Sequence, residues 1–335
     1  MFARTEPELW PALKHYWLPV ALSKDLAEKP RPVRLLDQRL VLFRLAGRVV
    51  CFRDLCVHRG TPLSLGWVEG STIVCGYHGW SYGADGVCTR IPALPPGRPI
   101  PRRAQVQTFS VEERYGLIWA CLAEPSAPIP EFPEALDPAF KLTYHPPTTW
   151  KASAARRTEN TVDAAHFPWV HEGILGSRDH PEVPVFPIHR HGEELRFEYE
   201  DLPNPMHPMP HRRVYRMHRP FTIHQRKVRE GQHDVEASFS TVCPTSARES
   251  TSFLVIARNF HIEPAEEARR FEVDELIRRQ DQPIVENQRP EELPLDLAAE
   301  LHIRGPDAIA VEYRRFMAEL GVDVDAPAPT ASYVE

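Results

Sequence analysis

The sequence predicts an α+β protein: an N-terminal all-β domain, then a domain whose antiparallel sheet is flanked by helices. Three observations predict it. Proline supplies 35 of 335 residues, roughly twice the usual share, and proline breaks helix interiors, which favours strands and loops. Between residues 33 and 123, short runs rich in Val, Leu and Phe, such as RLVLFRL and VVCFRD, are set apart by turn signals such as Ala46-Gly47-Arg48. Between residues 185 and 262, alternating runs (LRFEYED, VYRMHRPFTIH, DVEASFSTV, STSFLVIARNFHI) read as antiparallel strands, and two helical stretches, roughly 265–288 and 306–320, close the chain.

In chain order, residues 6–17 read as a short helix or turn that carries Trp10, Leu13 and Trp17 to a core. The β region follows, with TIVCGY and GLIWACL as further strands and Gly83, Gly86 and Gly116 at turns. Residues 124–138 (EPSAPIPEFPEALDP) are Pro-rich and expected to connect two domains in extended form. After them LTYHPPTTWKASA reads as a strand and TENTVDAAHFPWV as a helix. The last helix carries an apolar stripe of Ala308, Val311, Tyr313 and Phe316, the pattern of core packing. The expected division is 15–123, a linker at 124–138, 139–321, and a frayed tail at 322–335.

A net charge of −6, from 40 basic and 46 acidic residues, implies no general affinity for nucleic acid. An apolar fraction of 42% and a charged fraction of 26% are those of a soluble globular protein. No window is long and apolar enough to span a bilayer, and residues 1–25 lack the pattern of a secretory signal. A cytoplasmic location is expected. The six cysteines show no disulfide framework, and those outside the stretch below read as reduced, buried, small apolar residues.

The stretch from Cys56 to Trp80, CVHRGTPLSLGWVEGSTIVCGYHGW, carries a Cys-x-His pair and a Cys-x-x-His pair, sixteen residues apart. Two thiolates and two imidazoles on short loops make a metal site that suits zinc or iron. Each pair mixes Cys with His, whereas zinc fingers group like with like. A Rieske 2Fe–2S centre is held by two thiolates and two imidazoles.

A second constellation lies in TENTVDAAHFPWVHEG, where Asp163, His166 and His171 stand at offsets of three and five. Offset three places Asp163 and His166 on one helical face. Offset five puts His166 and His171 about 140° apart on an ideal helix, so a bend at Pro168 is expected to bring them together. Two histidines with a carboxylate and open positions form the facial triad of non-haem Fe(II) oxygenases.

The first stretch resembles the Rieske motif, including Arg59-Gly60 and Gly79-Trp80 after the ligand pairs. Val57 stands where many members carry proline; it supplies no ligand atom. Together with Asn160-x-x-Asp163-x-x-His166-x-x-x-x-His171 downstream, the chain resembles a Rieske non-haem iron oxygenase from about Trp17 to Leu320. The resemblance implies that Cys56, His58, Cys75 and His78 hold a 2Fe–2S cluster. It also implies a mononuclear Fe(II) on His166, His171 and a downstream aspartate. Family spacing selects Asp281, with Gln288 seven residues on, over its rivals Asp274, Glu275 and Glu286. Asp163 would link His166 to a Rieske histidine, His78, of a neighbouring subunit, so a homotrimer is expected, and Asn160 would support the iron's ligands. NAD(P)H electrons would arrive from a separate reductase, with or without a ferredoxin, because the sequence has no nucleotide-binding glycine motif.

Within the family, DAAHFPWVHEG and DQPIVENQ resemble the homo-oligomeric monooxygenases and demethylases. These include vanillate and dicamba O-demethylases, toluenesulfonate methyl-monooxygenases and saxitoxin-type alkaloid hydroxylases. O2-dependent C–H hydroxylation or O- or N-demethylation of a small aromatic or alkaloid-like molecule is therefore expected, with ring cis-dihydroxylation as the alternative. Two rivals from other classes are a Rieske redox carrier without oxygenase activity and a zinc-dependent interaction module. The basic segment His207–Pro220 offers Arg212, Arg213 and Arg216 as a wall for an acidic substrate, or as a solvated sheet edge or subunit contact.

Overall fold

The computed structural model describes residues 5–201, 211–228, 231 and 233–321. The expected tail at 322–335 and the His207–Pro210 part of the basic segment lie outside the described residues. The chain forms two compact units, Lys14–Ile129 and a second made of Pro130 onward with the N-terminal residues to Leu13.

The first unit is all β, as its short Val- and Leu-rich runs dictate. Its strands are β1 (Leu18–Leu22), β2 (Arg31–Leu35), β3 (Gln38–Leu45), β4 (Arg48–Arg53), β5 (Trp67–Glu69), β6 (Thr72–Val74), β7 (Ser81–Tyr82), β8 (Cys88–Arg90), β9 (Thr108–Arg114) and β10 (Leu117–Cys121). A six-stranded sheet runs β1-β10-β9-β4-β3-β2 and a four-stranded sheet runs β5-β6-β7-β8. Val41, Phe43 and Phe52 from the larger sheet share one buried core with Ile73 and Tyr82 from the smaller. Cys56 and Cys75 are part of that core.

The second unit begins with α1 (Trp10–Leu13), then β11 (Lys141–Tyr144), β12 (Thr148–Trp150), α2 (Ala154–Val162) and α3 (Phe167–Val170). It continues through β13 (Ile188–His191), β14 (Glu194–Asp201), β15 (His211–His218), β16 (Thr222–Val228), β17 (Val235–Ser246), β18 (Glu249–Arg258), α4 (Pro264–Val285) and α5 (Ala308–Ala318). The strands form one antiparallel sheet in the order β11-β18-β17-β16-β15-β14-β13, with β12 also on β18. The expected strand over LTYHPPTTWKASA is divided, because Pro146 and Pro147 interrupt it between β11 and β12.

The Pro-rich segment is more than a free connector. Phe132 and Glu134 are buried, and Glu134 pairs with His224 at 2.9 Å and Arg226 at 2.8 Å on β16. The expected helix over TENTVDAAHFPWV is broken in two. Helix α2 ends at Asp163, whose backbone turns extended (ψ 117°). The Asp163 carboxylate accepts the Ala165 N–H at 2.8 Å, a local bond that competes with helix continuation. Pro168, expected to bend a continuous helix, sits instead in the first turn of α3, where its missing N–H is harmless.

Among the described residues no helix is long and apolar enough to cross a membrane.

Candidate functional site

The two Cys/His loops have the same backbone. Cys56 N–H donates to Thr61 O at 2.8 Å and Gly60 N–H to Cys56 O at 2.9 Å; Cys75 N–H donates to Trp80 O at 2.8 Å and Gly79 N–H to Cys75 O at 3.0 Å. Gly60 and Gly79 close these turns at φ of 74° and 69°, a region that other residues rarely enter. The result is convergence: the His58 and His78 rings lie 4.6 Å apart, and His58 stacks on Trp80.

Both thiols are buried and His78 is exposed. Burial raises the Cys56 thiol above its ordinary value, the Tyr82 hydroxyl 3.1 Å away opposes this, and neighbouring Cys75 adds to it. Such a pair becomes dithiolate when cations displace its protons. His58 Nδ1 is buried and has no hydrogen-bond partner among the described residues. These donors fit a 2Fe–2S cluster of the Rieske type.

In the second unit His166, His171 and Asp281 offer three ligand atoms that all lie within 4.8 Å of one another. Asp281 Oδ1 is 3.0 Å from His171 Nε2 and 3.5 Å from His166 Nε2. The other ring nitrogens are occupied: His166 Nδ1–H donates to Asp163 at 3.1 Å and His171 Nδ1–H to Gln280 Oε1 at 2.9 Å. Each Nε2 is thereby aimed at the meeting point, where a metal would displace any proton it carries. His171 Nε2 is buried and, apart from Asp281 3.0 Å away, has no polar partner among the described residues. Burial disfavours charge on His166, but Asp163 and Asp281 outweigh it and push the imidazole up to about 9. Burial likewise opposes ionisation of Asp281, yet His166, His171 and Arg157 hold it well below the usual carboxylate range. A buried anion facing two imidazoles can hold a cation, and the donor set fits a facial iron.

Asn160 Nδ2 reaches Asp281 Oδ1 at 3.5 Å and is itself held by Arg157 Nη1 at 2.5 Å. All the ligand residues read from the sequence therefore gather at two places, one in each unit. Sequence reasoning missed Gln280, Tyr82 and the partner of Glu159. Gln280 precedes Asp281, but nothing in its own letter announces a bond to His171.

Helix α2 is tied down at its N-terminus. Ser153 caps it by accepting the Arg156 N–H at 3.3 Å, and Glu6 accepts the Ala155 N–H at 2.7 Å. Glu6 is fully buried, and burial raises its carboxyl from 4.5 to about 7. The folded state thus holds this proton longer than the unfolded chain, and the stability gained is whole below the unfolded value of 4.5 and lost as pH rises through about 7. Glu6→Gln keeps an acceptor for Ala155 and should raise stability at pH 8 by about 1–3 kcal/mol, with little change at pH 4. Thermal midpoints measured across this range check it; equal shifts at both pH values would refute the assignment.

A cavity of about 140 Å³ opens at the triad, walled by the sheet face and α4. Register places Tyr215, Gln225 and Ser238 side by side on β15, β16 and β17. They form a hydrogen-bonded row, Gln225 Nε2 donating to Tyr215 at 2.6 Å and Ser238 to Gln225 Oε1 at 3.2 Å. Of the expected basic wall, Arg212 is exposed and faces Glu198 at 3.3 Å, and Arg216 pairs with Glu194 at 2.6 Å on the opposite face. Arg213 lines the cavity, locked to Asp201 at 2.5 Å.

Residues 16–110 match the Rieske 2Fe–2S domain family, and residues 150–323 match the vanillate O-demethylase oxygenase C-terminal domain. The chain belongs to the Rieske non-haem iron oxygenases. This oxygenase is 34% identical to methylxanthine N1-demethylase NdmA of Pseudomonas putida over 322 residues, 92% of this chain and 89% of that one. It is 28% identical to methylxanthine N3-demethylase NdmB of the same organism, over 92% of this chain and 90% of that one. The solved structure of Pseudomonas putida CBB5 NdmA with caffeine superposes with a TM-score of 0.85 at 32% identity, covering 94% of this chain and 92% of that one. The family carries a Rieske cluster and a mononuclear iron and incorporates oxygen from O2.

Proposed function

We propose that this oxygenase removes a methyl group from nitrogen or oxygen of a small aromatic or heteroaromatic compound. The observation that carries it is the near full-length similarity to an N-demethylase, in a chain whose His166, His171 and Asp281 meet at the floor of one cavity. Iron bound there supplies the O2 activation that hydroxylates the methyl carbon. The resulting hemiaminal or hemiacetal loses formaldehyde and leaves N–H or O–H; two electrons and two protons enter and one water leaves per turnover.

The side chains divide the remaining work. His166, His171 and Asp281 would hold the iron, beside the cavity that they line. Asp163 and Gln280 fix the tautomers of the two imidazoles, and Asn160 steadies Asp281. In the first unit Cys56, His58, Cys75 and His78 hold the cluster. Electrons reach it from a separate reductase, with or without a ferredoxin, in the cytoplasm. From there Asp163 receives His78 of the partner subunit in a trimer. Exposed apolar residues suit that contact on both sides: Leu65 and Tyr77 beside the cluster loops, Ile284 and Leu301 in the recess that Asp163 lines.

The decisive experiment is incubation of the holoenzyme with a surrogate reductase, NAD(P)H and a panel of N-methyl and O-methyl aromatics. Formaldehyde should appear in step with the demethylated product; a cis-diol with no formaldehyde would overturn demethylation. Asp163→Asn should cut turnover about 100-fold while both iron sites stay loaded, and unchanged single-turnover rates would sink the electron path. Tyr82→Phe removes the hydroxyl 3.1 Å from the Cys56 sulfur. Loss of one hydrogen bond of about 1 kcal/mol should lower the cluster potential by roughly 40 mV. Redox titration of the cluster's visible absorption reads that shift directly.

A further inference from the structure

The cavity at the triad holds four cationic side chains among its described residues: Arg157, Arg213, Lys227 and Arg278. Three are matched by carboxylates. Arg213 meets Asp201 at 2.5 Å, Lys227 meets Glu236 at 2.7 Å, and Arg278 meets Glu275 at 2.8 Å. Arg157 differs. It is 7% exposed, and among the described residues its Nη1 bonds only neutral oxygens, Asn160 Oδ1 at 2.5 Å and Thr161 Oγ1 at 2.9 Å. Its guanidinium lies over the Trp150 ring, 4.4 Å from the centroid. Among the described residues its Nε is buried without a hydrogen-bond partner, as is that of Arg278.

A buried guanidinium without a carboxylate beside it is unfavourable unless something completes it. Asp281 acts on it from a distance, but that carboxylate is committed to the triad. Asp274 also lines the cavity and lies 3.5 Å from His145. The rest of the lining is suited to a flat ring, with Phe167, Leu175, Leu254 and Ile256 among the apolar residues. A guanidinium recognises planar oxyanions through parallel N–H donors.

We propose that Arg157 binds a carboxylate carried by the methylated substrate, so that the substrate class is methylated aromatic acids rather than neutral heterocycles. The proposal rests on the demethylase assignment above and adds its substrate chemistry. It moves the acid-binding role from the β15 arginines, which are already paired, to a helix residue beside the iron ligands.

The test is binding, read without turnover. Equilibrium dialysis of the iron-loaded oxygenase compares two isosteric pairs: N-methylanthranilate with N-methylanthranilamide, and 3-methoxybenzoate with 3-methoxybenzamide. In at least one pair the acid should bind at least about tenfold tighter than the amide. Arg157→Gln, compared per mole of bound iron, should erase that preference, and Arg157→Lys should restore part of it. No preference for the acid in the unaltered protein, in either pair, overturns the proposal, and so does a preference that survives in Arg157→Gln. The first of these outcomes needs no variant and therefore decides even if the substitution impairs folding. A protein that prefers acids yet never forms formaldehyde fails the demethylase assignment instead and leaves Arg157 its role.

Discussion

Asp281→Ala should remove the mononuclear iron and lower product formation by at least about 10³-fold, while the visible absorption of the cluster persists. Geometry makes the loss specific. Asp281 is the carboxylate at the meeting point of His166 Nε2 and His171 Nε2, and its neighbours on α4 cannot replace it. Glu275 is engaged by His145 at 2.7 Å and Arg278 at 2.8 Å, and Asp274 lies 3.5 Å from His145. Glu286, past the end of α4, accepts the Lys151 N–H at 3.1 Å. Iron analysis should show the mononuclear atom gone and the cluster atoms kept. Retained iron with retained turnover would return the role to one of those rivals.

Most of the proposed ligand set stands out in the sequence because metal ligation constrains both residue type and spacing. Cys56, His58, Cys75 and His78 sit on two short loops whose turns close at Gly60 and Gly79, so local sequence carries the whole device. Asp281 was harder. It lies over a hundred residues from His166, and only family spacing selected it from four acidic residues of one region. The polypeptide between Asp163 and Pro168 was misjudged for a physical reason. Helical periodicity assigns Asp163 and His166 to one face, but the short Asp163 side chain bonds its own backbone and ends the helix. The Asp163–His166 bond survives in a turn instead of across a helical surface.

What the sequence could not display was pairing at long range. Arg212, Arg213 and Arg216 look alike as letters, yet strand alternation and three different carboxylates give them separate fates. Arg157 looks like any helix arginine until the sheet and α4 close over it. Glu6 lies in an N-terminal segment that composition marks as unremarkable, and its contact with Ala155 spans 149 positions. Such bonds depend on which surfaces meet, and no local pattern encodes that.

Arg314→Ala should destabilise the second unit by about 3–5 kcal/mol, the range expected when one partner of a buried ion pair is removed. Arg314 is 3% exposed on α5 and grips Glu159 of α2 with two bonds, Nε at 2.7 Å and Nη2 at 2.9 Å. The same Nη2 reaches Glu300 at 2.6 Å, and Nη1 donates to Pro294 O at 3.2 Å. Arg156 joins the cluster at 2.5 Å from Glu300. Removing Arg314 strands Glu159 in a buried position, whereas Glu300 keeps Arg156. The unfolding midpoint should fall by roughly 10 °C. Iron retention should weaken with it, because Asn160 and Asp163 follow Glu159 on and just after α2. The double variant Glu159→Leu/Arg314→Leu should recover most of the lost stability, since an apolar pair of similar volume leaves no buried charge unpaired between these helices. Additive losses in that cycle would show that the two residues act independently and that α2 is held by other contacts. Recovery of stability without recovery of iron binding would instead assign the ion pair to the aim of the helix, the feature that sets where Asp163 meets His166.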